Sequence, residues 1–357
     1  MSLKKMMVSA SIASVLLGTT AAGVSAAETA SAGAGLLANV DHVQWLDVNR
    51  LIASQDTDAG RVDYLVDVNT GKFEKLLDAS NASELVLSPN GSKAAYTDNS
   101  GAVYLLDLTT KTSQTVSTDS NIKPELVWSI DGKALYFLQG DKGTVVSKLD
   151  IASGKVATVF DDKKDYKANL NVSPNGLWFT YTLTVPPVVT APSDKPVDDD
   201  AVTIDDSAAA LNVYQYQNDP SLKDNKAVQL SKSTDDKIFV GANLFGAAAY
   251  YIDVPAGDNA KAKLVSVDDK GAERTLFEEQ DVYQARYAGG HLYALTSGPA
   301  GKNLIYDISP MTGESKVLYT VGDDTTDIEV SSSGMIAIEA NGITYVDQNG
   351  KWVAVTR

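Results

Sequence analysis

Three kinds of residue in this chain have the type and spacing to do chemistry. The first is serine beside a tight turn. Ser88-Pro89-Asn90-Gly91 returns as Ser129-Ile130-Asp131-Gly132 and as Ser173-Pro174-Asn175-Gly176. An activated serine needs a base and, in the hydrolase elbow, the pattern G-x-S-x-G, which the sequence lacks. The second kind is the carboxylate. Asp198, Asp199, Asp200, Asp205 and Asp206 form the densest group. Hard cations take several oxygen ligands, so this group is a candidate calcium site, although the EF-hand spacing is absent. Asp56, Asp58 and Asp63 form a second group that reads better as a hairpin tip. The third kind is histidine, present only as His42 and His291. Two are too few for a three-histidine metal centre, though two with a carboxylate suffice for a mixed site. Each is expected to be a strand residue facing solvent or a packed interface.

Other chemistries are excluded or unmarked. With no cysteine, there is no thiolate nucleophile, no Cys-ligated metal and no disulfide framework. No phosphate-binding loop and no G-x-G-x-x-G before a helix occur. Paired carboxylates can cleave glycosidic bonds, but among 46 acidic residues no spacing picks out a pair. No catalytic residue and no resident cofactor are assigned, calcium being the one candidate.

The elements that must position these residues are short. From His42 onward, apolar runs of four to seven residues alternate with turns rich in Gly, Asn, Asp and Ser. No helical periodicity appears, so the chain is expected to be all-β. The runs group into units. One unit contains Glu84–Leu87, Ala94–Thr97, Val103–Leu108 and Ser113–Ser117; the next contains Glu125–Trp128, Ala134–Leu138, Val145–Asp150 and Val156–Phe160. An aspartate closes the third run of each unit. Asp67, Asp107 and Asp150 are 40 and 43 residues apart, and Asp268, Asp307 and Asp347 are 39 and 40 apart. A four-stranded unit repeating every ~40–45 residues is the period of a β-propeller blade. The count gives seven blades, near 41–78, 83–118, 123–161, 167–230, 236–278, 281–320 and 325–356. Six blades with an irregular fourth region is the alternative. Most of the aromatic residues, among them Trp45, Trp128, Trp178 and Trp352, are expected between blades, where rings fill space.

The fourth unit is lengthened by residues 185–210, "VPPVVTAPSDKPVDDDAVTIDDSAAA". Its four prolines and its like charges disfavour regular structure. It is expected to be a flexible loop between two strands, of a length that usually carries function or disorder.

The stretch "LVLSPNGSKAAYTDNSGAVYLLDLTTKT" resembles the WD-like repeat of the TolB-type β-propeller, also found in the propeller domains of prolyl oligopeptidase relatives. The likeness is good over 83–160 and 167–182 and weak in the fifth unit, which lacks the Ser-Pro-x-Gly turn. The resemblance implies an interaction scaffold that binds partner proteins. Between Ala27 and Asp41 no room remains for an N-terminal α/β domain like TolB's, and none remains elsewhere for a hydrolase domain. The expectation is the propeller alone.

Residues 1–26 carry Lys4-Lys5, then an apolar stretch, then Val24-Ser25-Ala26, the pattern of a cleaved secretory signal. Residues 27–40 read as a linker and 41–357 as one propeller domain. The expected location is outside the cell or at its envelope, periplasmic where the host has an outer membrane. The net charge is −16, and −18 once Lys4 and Lys5 are removed. Such a chain is a poor partner for nucleic acid or anionic membranes. No later stretch reaches the ~18 apolar residues needed to span a bilayer. The chain is expected to be a monomer that binds a protein or envelope component without catalysis. The alternative is a polysaccharide lyase or glycoside hydrolase using acids that face the channel. That alternative requires His, Arg and carboxylates to converge in one channel pocket.

Overall fold

The computed structural model describes residues 35–357, except 141, 187, 191–202, 206–210, 220, 222–224, 244–247, 258–259 and 300. Among them are seven sheets of four antiparallel strands, each in simple chain order, and no helix. The blades span 42–78, 86–117, 126–161, 167–229, 236–277, 282–322 and 325–354. The fold is a seven-bladed β-propeller.

Burial explains the sequence pattern. Second strands such as Ala134–Gln139 are buried on both faces, which is why they read as continuous apolar runs instead of alternating ones. Fourth strands such as Thr112–Ser117 lie outermost and are mostly exposed and polar. Alternate residues of one strand serve two different interfaces. Ile52 and Leu65 of blade one pack against Leu85 and Ala94 of blade two. Their neighbours Leu51 and Ala53 pack against Ala337 and Val346 of blade seven. Each interface between adjacent blades holds one such cluster, and the ring closes between blades seven and one.

The first strands line the axis. They are His42–Asp47, Val86–Leu87, Leu126–Trp128, Lys167–Val172, Asp236–Ala242, Val282–Ala288 and Thr325–Val330. Ring neighbours touch one another, including His42–Asp47 with Thr325–Val330. Blades one and seven each hold four strands of their own, so no strand is exchanged. The ends are nevertheless tied. Leu37 is buried and pairs in parallel with Thr356; the Arg357 amide donates to the Leu37 carbonyl at 2.8 Å.

In an antiparallel blade, the start of the first strand and the turn between the second and third strands lie at the same end of the ring. That end is called the entry mouth here. The stretch 185–210 leaves Trp178–Thr184 and returns at Leu211–Gln217, so it belongs to the entry mouth. It is not wholly irregular, as its prolines and charges suggested. Val188–Thr190 pairs with Thr203–Asp205, two β-branched-rich pieces that flank the acidic run.

Three buried lysines hold the entry-mouth loops. Lys123 Nζ donates to the carbonyls of Gly101 and Asn121, both at 2.7 Å, and of Asp119 at 3.1 Å. Lys167 Nζ donates to the carbonyls of Thr144 and Lys164 and pairs with Asp162 at 2.6 Å. Lys237 Nζ donates to the carbonyls of Ser233 and Asp235, both at 2.7 Å. Burial holds the Lys167 and Lys237 ammonium groups below the usual lysine range. Each occurs just before or within a first strand, so the lysine is a repeated device for joining consecutive blades. A buried ammonium is tolerated because carbonyl oxygens replace its water.

Candidate functional site

The repeated serines are committed to their turns. Ser88 Oγ donates to Asn90 Oδ1 at 2.9 Å and accepts from the Lys93 amide at 3.0 Å. Ser129 and Ser173 make the same pair of bonds, to Asp131 and Asn175 and from Ala134 and Trp178. Gly91, at φ 65°, closes the turn with its amide on the Ser88 carbonyl, 2.8 Å away. No histidine bonds to these hydroxyls, and the turns lie at the mouth opposite the entry mouth. The repeating aspartates are turn formers too. Asp107 Oδ1 accepts from the amides of Thr110 and Thr109, which hold its carboxyl below the usual range.

The acidic group of the insertion lies outside the described residues at Asp198, Asp199, Asp200 and Asp206. Asp205 is described only as a backbone position in the hairpin. Among the described residues, no group of three or more His, Asp or Glu is arranged to hold a metal. His291 is exposed, with Nδ1 2.7 Å from Asp307 Oδ1 on the adjacent strand of its own blade.

His42 sits in a different setting. Its Nε2 lies 2.8 Å from Glu84 Oε1, linking blade one to blade two at the entry mouth. The hydrogen bond to Glu84 raises the imidazole pKa, and the same bond lowers that of Glu84. Arg61, bonded to Asp63 at 3.1 Å and to Ser54 Oγ at 2.7 Å, lies close enough for its charge to act on both. Burial raises the Asp63 carboxyl despite these bonds.

Across the seam, blades six and seven supply the other half. Arg286 Nη2 lies 3.1 Å from Asp327 Oδ1 and its Nε 3.3 Å from Glu329 Oε2. Gln284 donates to Asp327 and accepts from the Ile328 amide. Trp45 Nε1 donates to the Glu329 carbonyl at 3.2 Å, which ties blade seven to blade one. Burial raises the Glu329 carboxyl above its usual range, with Arg286 opposing.

Between blades seven and one these groups border a small cleft, open to solvent. His42, Asp327, Glu329 and Glu339 line it, with Val40, Val43 and Ala337 as apolar wall. Burial, then the charges of Asp327 and Asp41, raise the Glu339 carboxyl. Among the described lining residues, three carboxylates face one basic group, His42, and Arg286 is already shared between two of them. The cleft is therefore electronegative.

A further carboxylate stands apart at the same mouth. Glu125 of blade three accepts from the amides of Asn169 and Leu170 in blade four, and burial pushes its pKa up to about 7. It caps an irregularity in the strand Lys167–Val172, where the register shifts between Ala168 and Asn171 and Asn169 takes φ 54°.

Of the residues singled out by type, the structure brings only His42 into this site. Glu84, Arg286, Asp327, Glu329, Glu339 and Glu125 carry no local motif. Their one signal is charge at alternate positions in what should be apolar axial strands, as in Asp327 and Glu329 of "TDIEV". The charged convergence that a channel enzyme requires is thus present in outline, without a metal trio or an activated serine among the described residues.

No protein-family model matches the chain, and no curated protein matches it. Solved structures do resemble it. The β-propeller domain of the Trilobed protease from Pyrococcus furiosus, with an open velcro topology, is 13% identical over 91% of this chain and 97% of its own, with a TM-score of 0.56. The tricorn protease is 11% identical over 90% of this chain, with a TM-score of 0.58. TolB from Acinetobacter baumannii is 14% identical over 77% of this chain, with a TM-score of 0.48. The chain spans 34% of the tricorn protease and 64% of TolB. At these identities the likeness to the Trilobed protease domain and the tricorn protease establishes the propeller fold.

Proposed function

We propose that this chain is an exported, non-catalytic propeller that binds a protein or other envelope component at the entry mouth. The observation that carries the reading is the electronegative cleft at the seam of blades seven and one, on the same mouth as the 185–210 insertion. The signal-like pattern of residues 1–26 supports export. The serines that invite a nucleophilic reading are bonded into turns at the other mouth. The test is capture from envelope extract by the chain lacking residues 1–26. Variants Arg286→Met and Glu329→Gln should lose the captured partner, and Asp107→Asn, at the opposite mouth, should keep it. Capture indifferent to the Arg286 and Glu329 variants would refute the reading.

One observation favours a second reading. His42 and Glu329 line one cleft and are able to move protons, as a lyase or glycoside hydrolase would need, and Arg286 bonds Glu329 there. The same cleft would repel an anionic polysaccharide, so a neutral or cationic sugar is the better substrate to try. Turnover lost in His42→Ala with an unchanged melting temperature would establish catalysis.

A further inference from the structure

The ring has seven joints between blades, and the chain itself runs across six of them. The joint between blades seven and one carries no linker and exchanges no strand. It is held by packing and by a few hydrogen bonds. Trp45 Nε1 donates to the Glu329 carbonyl at 3.2 Å, and Gln348 Nε2 donates to the Val68 carbonyl. The rest of the tie comes from residues 35–39. Leu37 is 4% exposed and belongs to the apolar cluster of Leu51, Ala53, Ala337 and Val346 that fills this joint. The Arg357 amide donates to the Leu37 carbonyl at 2.8 Å, the Asn39 amide to the Arg357 carbonyl at 3.2 Å, and Arg357 Nε to the Leu36 carbonyl at 3.1 Å. Gln55 Nε2 of blade one holds the Ala38 carbonyl. Of residues 35–39, Leu37 alone is buried. Asn39, at φ 52°, then turns the chain towards the first axial strand. A segment with one buried side chain and a handful of hydrogen bonds, at the joint the chain does not cross, opens more readily than the blades it joins.

We infer that residues 35–39 are a releasable latch, and that the ring opens between blades seven and one when the latch lets go. Ring closure is independent of what the entry mouth binds, but the two meet at the small cleft. Val40, His42 and Val43, next along the chain from the latch, form one wall of it, and Asp327, Glu329 and Glu339 of blade seven belong to the other. Release of the latch parts these walls, so a cleft that is small in the closed ring widens in the open one.

The chain has no cysteine, so a single introduced thiol reports on one joint. Ala337, at the joint of blades seven and one, and Ala95, at that of blades two and three, are 1% and 0% exposed. A maleimide reagent reaches either thiol only when its joint opens, and the labelling rate follows the open population while closing outpaces labelling. Ala337→Cys should label about tenfold faster than Ala95→Cys in the otherwise parental chain. Adding Leu37→Ala should speed labelling at 337 about a further tenfold and leave 95 unchanged. Gln55→Met, which removes one hydrogen bond and keeps Leu37, should speed labelling at 337 about threefold. Ala53→Cys at the same joint as 337, and Ala294→Cys between blades five and six, repeat the comparison with other buried alanines. Equal labelling at the latched joint and the others in the parental background, or equal acceleration of both by Leu37→Ala, would overturn the inference.

Discussion

Arg286 Nη2 of blade six lies 3.1 Å from Asp327 Oδ1 of blade seven, while the same guanidinium reaches Glu329 at 3.3 Å. One cation therefore balances two carboxylates of blade seven, the blade that closes the ring against blade one. Arg286→Met should leave both acids unbalanced. Arg286 is 36% exposed, so solvent screens part of the effect. The expected loss is about 1–2 kcal/mol by urea denaturation, recovered in part by adding Glu329→Gln.

Glu125 should make stability depend on pH. Its folded pKa of about 7 lies above the ordinary glutamate value, so the native state holds its proton more tightly than the unfolded chain does. The associated stability is fully present below about pH 4.5 and is lost as pH rises through 7. Glu125→Gln should flatten the stability profile between pH 5 and 8 by about 2–3 kcal/mol at one unit of pKa per 1.4 kcal/mol. Parallel pH profiles for variant and parent would contradict this.

Lys123 should be needed for folding. Its ammonium is fully buried and bonded to three carbonyls that no other side chain reaches among the described residues. Lys123→Met should cost about 3 kcal/mol, from carbonyls left without a donor. Lys133→Met, on an exposed turn, should cost less than about 0.5 kcal/mol. Chemical denaturation of the two variants makes the comparison.

Ser88→Ala should matter only to its turn. Losing the bonds to Asn90 and from Lys93 should cost about 1 kcal/mol. Partner capture and any turnover should remain at the parental level. Loss of either in Ser88→Ala at unchanged melting temperature would give the serine a role beyond the turn.

The repeat was legible because it is local. Ser-x-x-Gly turns and closing aspartates act within a few residues, and they measured the blades. Blade five lacks that turn, yet Asp236–Ala242 and Ala248–Val254 still pair, with a register shift between Phe239 and Gly241. Inter-blade packing, as of Tyr251 on Val213, supplies what the turn motif does not. The site was illegible for the opposite reason. His42 meets Asp327 and Glu329 only because the ring closes, bringing the two ends of the chain together. Nothing in "HVQWLD" or "TDIEV" records that meeting. The buried lysines were hidden similarly, since Lys167 looks like one charge in "DDKKDYK" until the fold encloses it.

Photo-crosslinking at paired positions tests the binding mouth most directly. Ile122 and Tyr166 are exposed on entry-mouth loops, whereas Ile130 and Met311 are exposed on turns of the opposite mouth. With a photoreactive residue at each position in turn, the partner should be trapped from 122 or 166 and not from 130 or 311. Trapping from 130 and 311 alone would contradict the account.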